Sequence, residues 1–372
     1  MKHPRPFLPP RLLAAACLAL IVCGAPVVAR DDGAAAPESG AGLRALADFP
    51  VGVAVPAAPW PNDLLKSPER QALVEHHFSS LTAENIMKMS YLQPERGRFM
   101  FEHADALVDY ARRHGMLMHG HALVWHRQAP EWMNRFEGSR QEFIEILEAH
   151  VQIVAGHFAG RLASWDVVNE TFQDGDPTEY RRTIWLENIG PEYIELAFRA
   201  ARRADPHADL YYNDYDISGA EGPGKLDRIL RMLDDFKARD VPIDGIGFQM
   251  HIDTDEPDPQ AMREAFLKAV GRGLKVRISE LDVSVNQSGE YAALTPELAQ
   301  RQRRRYAEVV RIYKGTVPDE LRGGLTVWGI TDGDSWIPGF RNRPDWPLLF
   351  DAEFRPKPAL RGLAEGLRDC PE

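Results

Sequence analysis

Ser164-Trp165-Asp166-Val167-Val168-Asn169-Glu170 is the stretch from which the fold can be read. Its apolar run is too short for a helix and reads as a buried strand, which ends on an amide and a carboxyl group. Seven further runs of this kind lie at 49–55, 78–82, 117–121, 209–213, 245–251, 275–281 and 324–329, with amphipathic helical stretches between them. Ser67-Pro68 and Thr295-Pro296 each offer an N-cap residue followed by proline at the first helical position. Ser139 and Glu142 have capping-box spacing, and after them Phe143, Ile146, Leu147, His150, Val151 and Val154 share one helical face. Eight strand–helix units in series predict an α/β protein, a single closed (β/α)8 TIM barrel. An open doubly wound sheet would call for a glycine-rich phosphate loop after the first strand, and Gly52-Val53-Ala54 is a poor substitute for one.

Outside the barrel pattern, residues 1–29 read as a signal peptide. They hold basic Lys2, Arg5 and Arg11, an apolar run over 12–22, and a small-residue exit at Val27-Val28-Ala29. That run is short for a bilayer span, and nothing later in the chain resembles one. Cys23 invites a lipoprotein reading that Val22 fits poorly. Residues 30–42, rich in Ala, Gly, Asp, Glu and Ser, read as a flexible leader, and 43–372 as the catalytic domain. Cys17 and Cys23 leave with the signal, so Cys370 remains alone and has no partner for an internal disulfide. A soluble, secreted or periplasmic monomer is expected, with no membrane attachment in its mature form. The formal net charge of -11 repels nucleic acid and anionic membranes and suits a neutral substrate.

Barrel active sites lie at the C-terminal ends of the strands. There the chain carries Glu84, Asn85 and Lys88 after the second strand, and His121, Trp125, His126 and Gln128 after the third. Asn169 and Glu170 end the fourth, Asn213-Asp214-Tyr215 the fifth, Gln249 and His251 the sixth, Glu280 and Asp282 the seventh. Trp328 ends the eighth, with Trp336 in the loop beyond. Carboxyl groups for chemistry, amides for hydroxyl groups and flat indoles for pyranose rings are what a sugar site requires. Glu170 and Glu280 stand out, because glycoside hydrolysis with retention needs two carboxyl groups about 5–5.5 Å apart, one protonated and one ionised at rest. Asp282, two residues beyond Glu280 on the same strand face, and His251 on the adjacent strand would keep Glu280 ionised. Asn169 could hold a sugar 2-hydroxyl. A zinc-dependent hydrolase is a different reading of His119-Gly120-His121, whose alternate residues share a strand face; it lacks the further histidines such a site needs.

Several of these motifs together resemble glycoside hydrolase family 10, the endo-β-1,4-xylanases, from about Phe49 to Lys357. Trp165-Asp166-Val167-Val168-Asn169-Glu170 is similar to the family's acid/base strand, and Ile278-Ser279-Glu280-Leu281-Asp282 to its nucleophile strand. Gly120-His121-Ala122-Leu123-Val124-Trp125-His126, Tyr211-Tyr212-Asn213-Asp214-Tyr215, Val327-Trp328-Gly329, Asp334-Ser335-Trp336 and Pro347-Leu348-Leu349-Phe350-Asp351 support the match. The resemblance implies hydrolysis of xylan and xylo-oligosaccharides without a cofactor or metal. It further implies that Glu84, Asn85, Lys88, His121, Trp125, Gln128 and Trp336 line the glycone subsites. Gln249 and His251 would orient the catalytic pair, and Tyr215 and Trp328 would border the cleavage point. Family members usually follow the lysine of the second-strand motif with tryptophan; Met89 stands there in this chain, which puts the packing beneath Lys88 in question.

Overall fold

Eight parallel strands form a closed ring: β1 (Val51–Val55), β2 (Ser80–Ala83), β3 (Leu117–Gly120), β4 (Ser164–Asn169), β5 (Asp209–Asp214), β6 (Gly245–Phe248), β7 (Lys275–Ser284) and β8 (Arg322–Val327). Each pairs with its neighbours in sequence, and β8 returns to pair with β1 through Val51 and Leu325, Gly52 and Thr326, and Val53 and Val327. This computed structural model describes residues 40–174, 180–219 and 224–369. The expected signal peptide, the leader as far as residue 39, and Cys370 lie outside the described residues.

One long helix follows each strand: α1 (Pro68–His77), α2 (Glu102–Arg113), α3 (Arg140–His157), α4 (Tyr193–Ala204), α5 (Gly224–Ala238), α6 (Pro259–Val270), α7 (Pro296–Thr316) and α8 (Pro358–Arg368). Their starts follow the local chemistry. Ser67 accepts from the Arg70 N–H and Thr295 from the Leu298 N–H, each beside a first-turn proline that has no N–H to satisfy. The capping box of Ser139 and Glu142 is complete, and the helical face from Phe143 to Val154 is buried as its period requires. No helix among the described residues is long and apolar enough to cross a membrane.

Alternation along the strands separates two interiors. Trp165 on β4 turns outward onto Phe158, their ring centres 6.0 Å apart, and Phe248 on β6 meets Phe266 of α6 edge-on at 5.0 Å. The apolar core therefore lies between strands and helices. Polar residues such as Ser164, Asp166, Asn213 and Arg277 are buried as well. Two glycines make this packing possible: a Cβ at Gly120 would stand 2.1 Å from the Trp165 ring, and one at Gly247 would stand 2.3 Å from Asn213 Oδ1.

The sixth strand departs from expectation. Instead of running unbroken over 245–251 it ends at Phe248, Met250 adopts φ +63°, and a short strand His251–Asp253 resumes against Asp282–Ser284 of β7. A methionine in the left-handed region breaks the pleat that sequence pattern alone would extend. Backbone bonds still cross the break, from Gln249 N to Asp214 O at 3.0 Å and from Glu280 N to Gln249 O at 2.9 Å.

Candidate active site

The two strands that carry the glutamates are the ones whose pairing slips. Against β5 the register of β4 shifts between Asp166 and Val168, and against β8 that of β7 shifts between Ile278 and Leu281. Such irregularities re-aim the side chains beyond them. Glu170, the first residue after β4, sits at φ +59° with its N–H bonded to Asn213 O at 3.0 Å. A non-glycine residue held there stores strain of about 1–3 kcal/mol, which the surrounding bonds must offset.

The Glu170 carboxyl group receives donors on both oxygens. Trp125 Nε1 reaches Oε2 at 2.8 Å, while Asn169 Nδ2 and Gln249 Nε2 reach Oε1 at 3.0 and 2.9 Å. His126 Nδ1 lies 3.6 Å from Oε2, and burial pulls that imidazole down to about 4, so it stands beside the carboxyl group uncharged. Trp125 and Gln249 are thus partners of Glu170. Asn169 already spends one amide proton on Glu170, and its Oδ1 accepts from Asn213 at 3.0 Å and from Gln249 at 3.3 Å.

Glu280 has different company. His251 Nε2 lies 3.1 Å from its Oε2, and His251 Nδ1 lies 2.9 Å from Asp282 Oδ2, so one imidazole joins the two carboxylates of β7. Burial opposes a charged imidazole here, but Asp282 and Glu280 more than offset it and hold His251 up at about 10. Burial likewise raises the Glu280 carboxyl, and the hydrogen bond from His251 with the charges of His121 and His251 overcomes it, leaving the group below its ordinary value. Asn213 Nδ2 donates to Glu280 Oε1 at 2.8 Å, and its own Oδ1 accepts from Ser279 at 2.6 Å. Because Asn213 also donates to Asn169, one amide at the end of β5 ties the two halves of the site together.

Around this pair the other expected residues assemble. Asn85 donates to Glu84 at 3.1 Å, and its Oδ1 accepts from Lys88 and Gln128, each at 3.1 Å. Lys88 Nζ lies 4.6 Å from the centre of the Trp125 ring, so the indole supplies the surface under the ammonium while Met89 is buried at the start of a one-turn helix. Burial raises the Glu84 carboxyl and lowers the Lys88 ammonium from their ordinary values. Trp336 donates from Nε1 to Asp282 Oδ2 at 2.9 Å, and Trp328 meets His121 and His251 edge-on at 5.3 and 6.3 Å.

Three residues of this neighbourhood carry no signal that sequence reasoning could use, and a fourth carries only a faint one. Tyr215 OH donates to Asp174 at 2.5 Å and accepts from Arg181 at 2.7 Å, and Lys225 Nζ lies 3.7 Å from the Tyr215 ring centre and 2.8 Å from Asp214. Asp174, Arg181 and Lys225 sit in loops or on a helix rather than at strand ends. Asp166 points into the barrel two pleat repeats before Glu170, and within its motif only its spacing marks it. Its Oδ2 lies 3.0 Å from His119 Nε2 and 2.9 Å from His121 Nδ1, so the two histidines of the third strand converge on one carboxylate oxygen.

Comparison with known proteins agrees with this geometry. Residues 43–366 match the model of glycosyl hydrolase family 10. The chain is 44% identical over 349 residues to the endo-beta-1,4-xylanase Xyn10C of Cellvibrio japonicus, an alignment covering 87% of this chain and 57% of that protein. It is 38% identical to endo-1,4-beta-xylanase B of Thermotoga neapolitana, covering 82% of this chain and 86% of the relative. The chain thus spans little more than half the length of the Cellvibrio protein. The structure of native xylanase 10C from Cellvibrio japonicus superposes with a TM-score of 0.86 at 43% identity, over 89% of this chain and 73% of that one. A closed barrel with two carboxyl groups on re-aimed strands, and a family match over nearly all of it, place the chain in glycosyl hydrolase family 10.

Proposed function

We propose that the protein is a retaining endo-β-1,4-xylanase that hydrolyses internal β-1,4-xylosidic bonds of xylan by double displacement. The observation that carries this reading is the unequal setting of the two glutamates. Glu280 is flanked by a cationic His251 and kept below its ordinary value, as a nucleophile needs, while the Glu170 carboxyl group receives only neutral donors. In the first step Glu280 attacks the anomeric carbon as Glu170 gives its proton to the leaving oxygen. A covalent glycosyl-enzyme forms. In the second step Glu170 takes a proton from water, which attacks the same carbon and releases Glu280. Two carboxyl groups and water close the cycle, and no cofactor enters it.

Sugar binding follows from the surrounding groups. Glu84, Asn85, Lys88, His121, Trp125, Gln128 and Trp336 would hold the glycone side, with Tyr215 and Trp328 at the cleavage point. Support for the substrate comes from the relatives: both proteins named above are called endo-xylanases, and a mutant of the Cellvibrio enzyme has been solved with xylopentaose. The signal peptide read from residues 1–29 supports export to the periplasm or beyond.

Mass spectrometry after treatment with a 2-fluoro xylobioside is expected to place the label on Glu280; a label elsewhere overturns the assignment. Glu170→Ala should lose xylan cleavage yet still form the glycosyl-enzyme from substrates with a good leaving group. Xylan and cellulose assayed side by side test the substrate class, and preference for cellulose refutes it.

A further inference from the structure

Glu280 stands between two histidine–carboxylate couples. On its Oε2 side are His251 and Asp282, which the reading above already uses. On its Oε1 side, His121 Nδ1 lies 4.0 Å away, and that same nitrogen lies 2.9 Å from Asp166 Oδ2. Asp166 is buried, and its second oxygen has no hydrogen-bond partner among the described residues.

Proton positions in this second couple follow from what each group can do. Burial raises the Asp166 carboxyl, but His119 and His121 outweigh it and hold the group well below the carboxylate range. An ionised carboxylate only accepts, so the nitrogens that face it carry protons: Nε2 of His119 and Nδ1 of His121. His119 is kept neutral by burial, so its Nδ1 accepts from Ser164 Oγ–H at 2.7 Å. Ser164 thus orients the His119 ring, whose Nε2 stands 3.0 Å from Asp166 Oδ2 at ion-pair distance without hydrogen-bond alignment. Arg277 of β7 is a nearby buried cation.

We propose that Asp166 is a positioning residue: it holds the Nδ1 proton of His121 to itself and so keeps that proton off the Oε1 oxygen of Glu280. Held this way, Glu280 Oε1 answers only to Asn213, and Nε2 of His121, which has no partner among the described residues, is left for the bound sugar. Without the Asp166 charge, the same N–H is free to turn to Glu280. A hydrogen bond there stabilises the resting carboxylate and slows its attack on carbon. The inference rests on Glu280 being the nucleophile.

Asp166→Asn tests it. The rate at which a 2-fluoro xylobioside inactivates the enzyme should fall roughly 10- to 100-fold, the scale of one charge-assisted hydrogen bond in the barrier. The label should remain on Glu280. In a His121→Gln background the same substitution should cost no further activity. An unchanged inactivation rate, or independent losses in the two backgrounds, overturns the proposal. A label that misses Glu280 in the wild type instead overturns the catalytic assignment and leaves the geometry of Asp166 unaffected. Where Asp166→Asn does not fold, imidazole nitrogen NMR of the wild-type protein decides. His121 should carry its proton on Nδ1 in a slowly exchanging, low-field resonance, and a proton found on Nε2 with Nδ1 bare refutes the inference.

Discussion

Arg181 donates through Nε to the backbone carbonyl of Glu170 at 3.1 Å. Its Nη2 reaches Asp174 at 3.0 Å and Tyr215 OH at 2.7 Å, so the glutamate is held from its main chain as well as from its carboxyl group. Arg181→Ala removes the tie that helps keep Glu170 in its left-handed conformation. The expected outcome is about a tenfold fall in kcat/KM on xylan, where protonation of the leaving group matters, and a smaller fall on aryl xylobiosides with activated leaving groups. Equal losses on both would show that Arg181 does not act through Glu170.

Asn213 is buried and donates to both Glu280 and Asn169 while accepting from Ser279. Asn213→Ala leaves three buried groups short of a partner. We expect a loss of about 1–3 kcal/mol in stability, read as a lower urea midpoint with unchanged m-value, together with a large loss of activity on every substrate.

For His251 the folded value of about 10 lies above the ordinary 6.5. A raised group of this kind contributes stability in full below pH 6.5 and loses it as pH climbs toward 10. The difference in melting temperature between wild type and His251→Gln should therefore be widest near pH 6 and shrink across that window. For Glu280 the sign is opposite: its lowered carboxyl contributes above the ordinary carboxylate range and loses that contribution as pH falls. Melting temperatures from pH 3 to 10 check both, and a gap that widens toward pH 10 would falsify the assignment of His251 as the cation.

Met89→Trp restores the residue that family resemblance leads one to expect, yet Met89 is 7% exposed and Lys88 already rests on Trp125. Overfilling a packed site costs about 1–3 kcal/mol. The variant should melt below wild type with no gain in xylan affinity, measured by thermal denaturation and KM.

How much of this was legible in the sequence depends on what each residue answers to. The eight strands follow from short apolar runs, and helix starts such as Ser67-Pro68 follow from caps, because both are local effects. Glu170, Glu280, His251 and Asp282 could be placed from strand ends and period-two alternation. The break at Met250 was invisible, since nothing local forces a methionine to positive φ; the pairing of Gln249 and His251 with strands on either side does. The same holds for Asp166, whose two histidine partners come from another strand. It holds too for Arg181, whose target is a carbonyl oxygen and leaves no mark on side-chain pattern. Trp125 and Gln249 were anticipated in the site, but that both serve Glu170 emerges only from long-range geometry.

The slips in β4 and β7 have a consequence for how such a protein can change. Because pairing register aims Glu170 and Glu280, their alignment is written into the frame of the barrel, and rim residues such as Arg181 and Trp125 hold Glu170 in place without setting its direction. Rim segments outside those ties can then lengthen, shorten or be exchanged while the reaction geometry stays put. A one-residue deletion within either strand would do the reverse, leaving every rim contact available and turning one glutamate away from its partner.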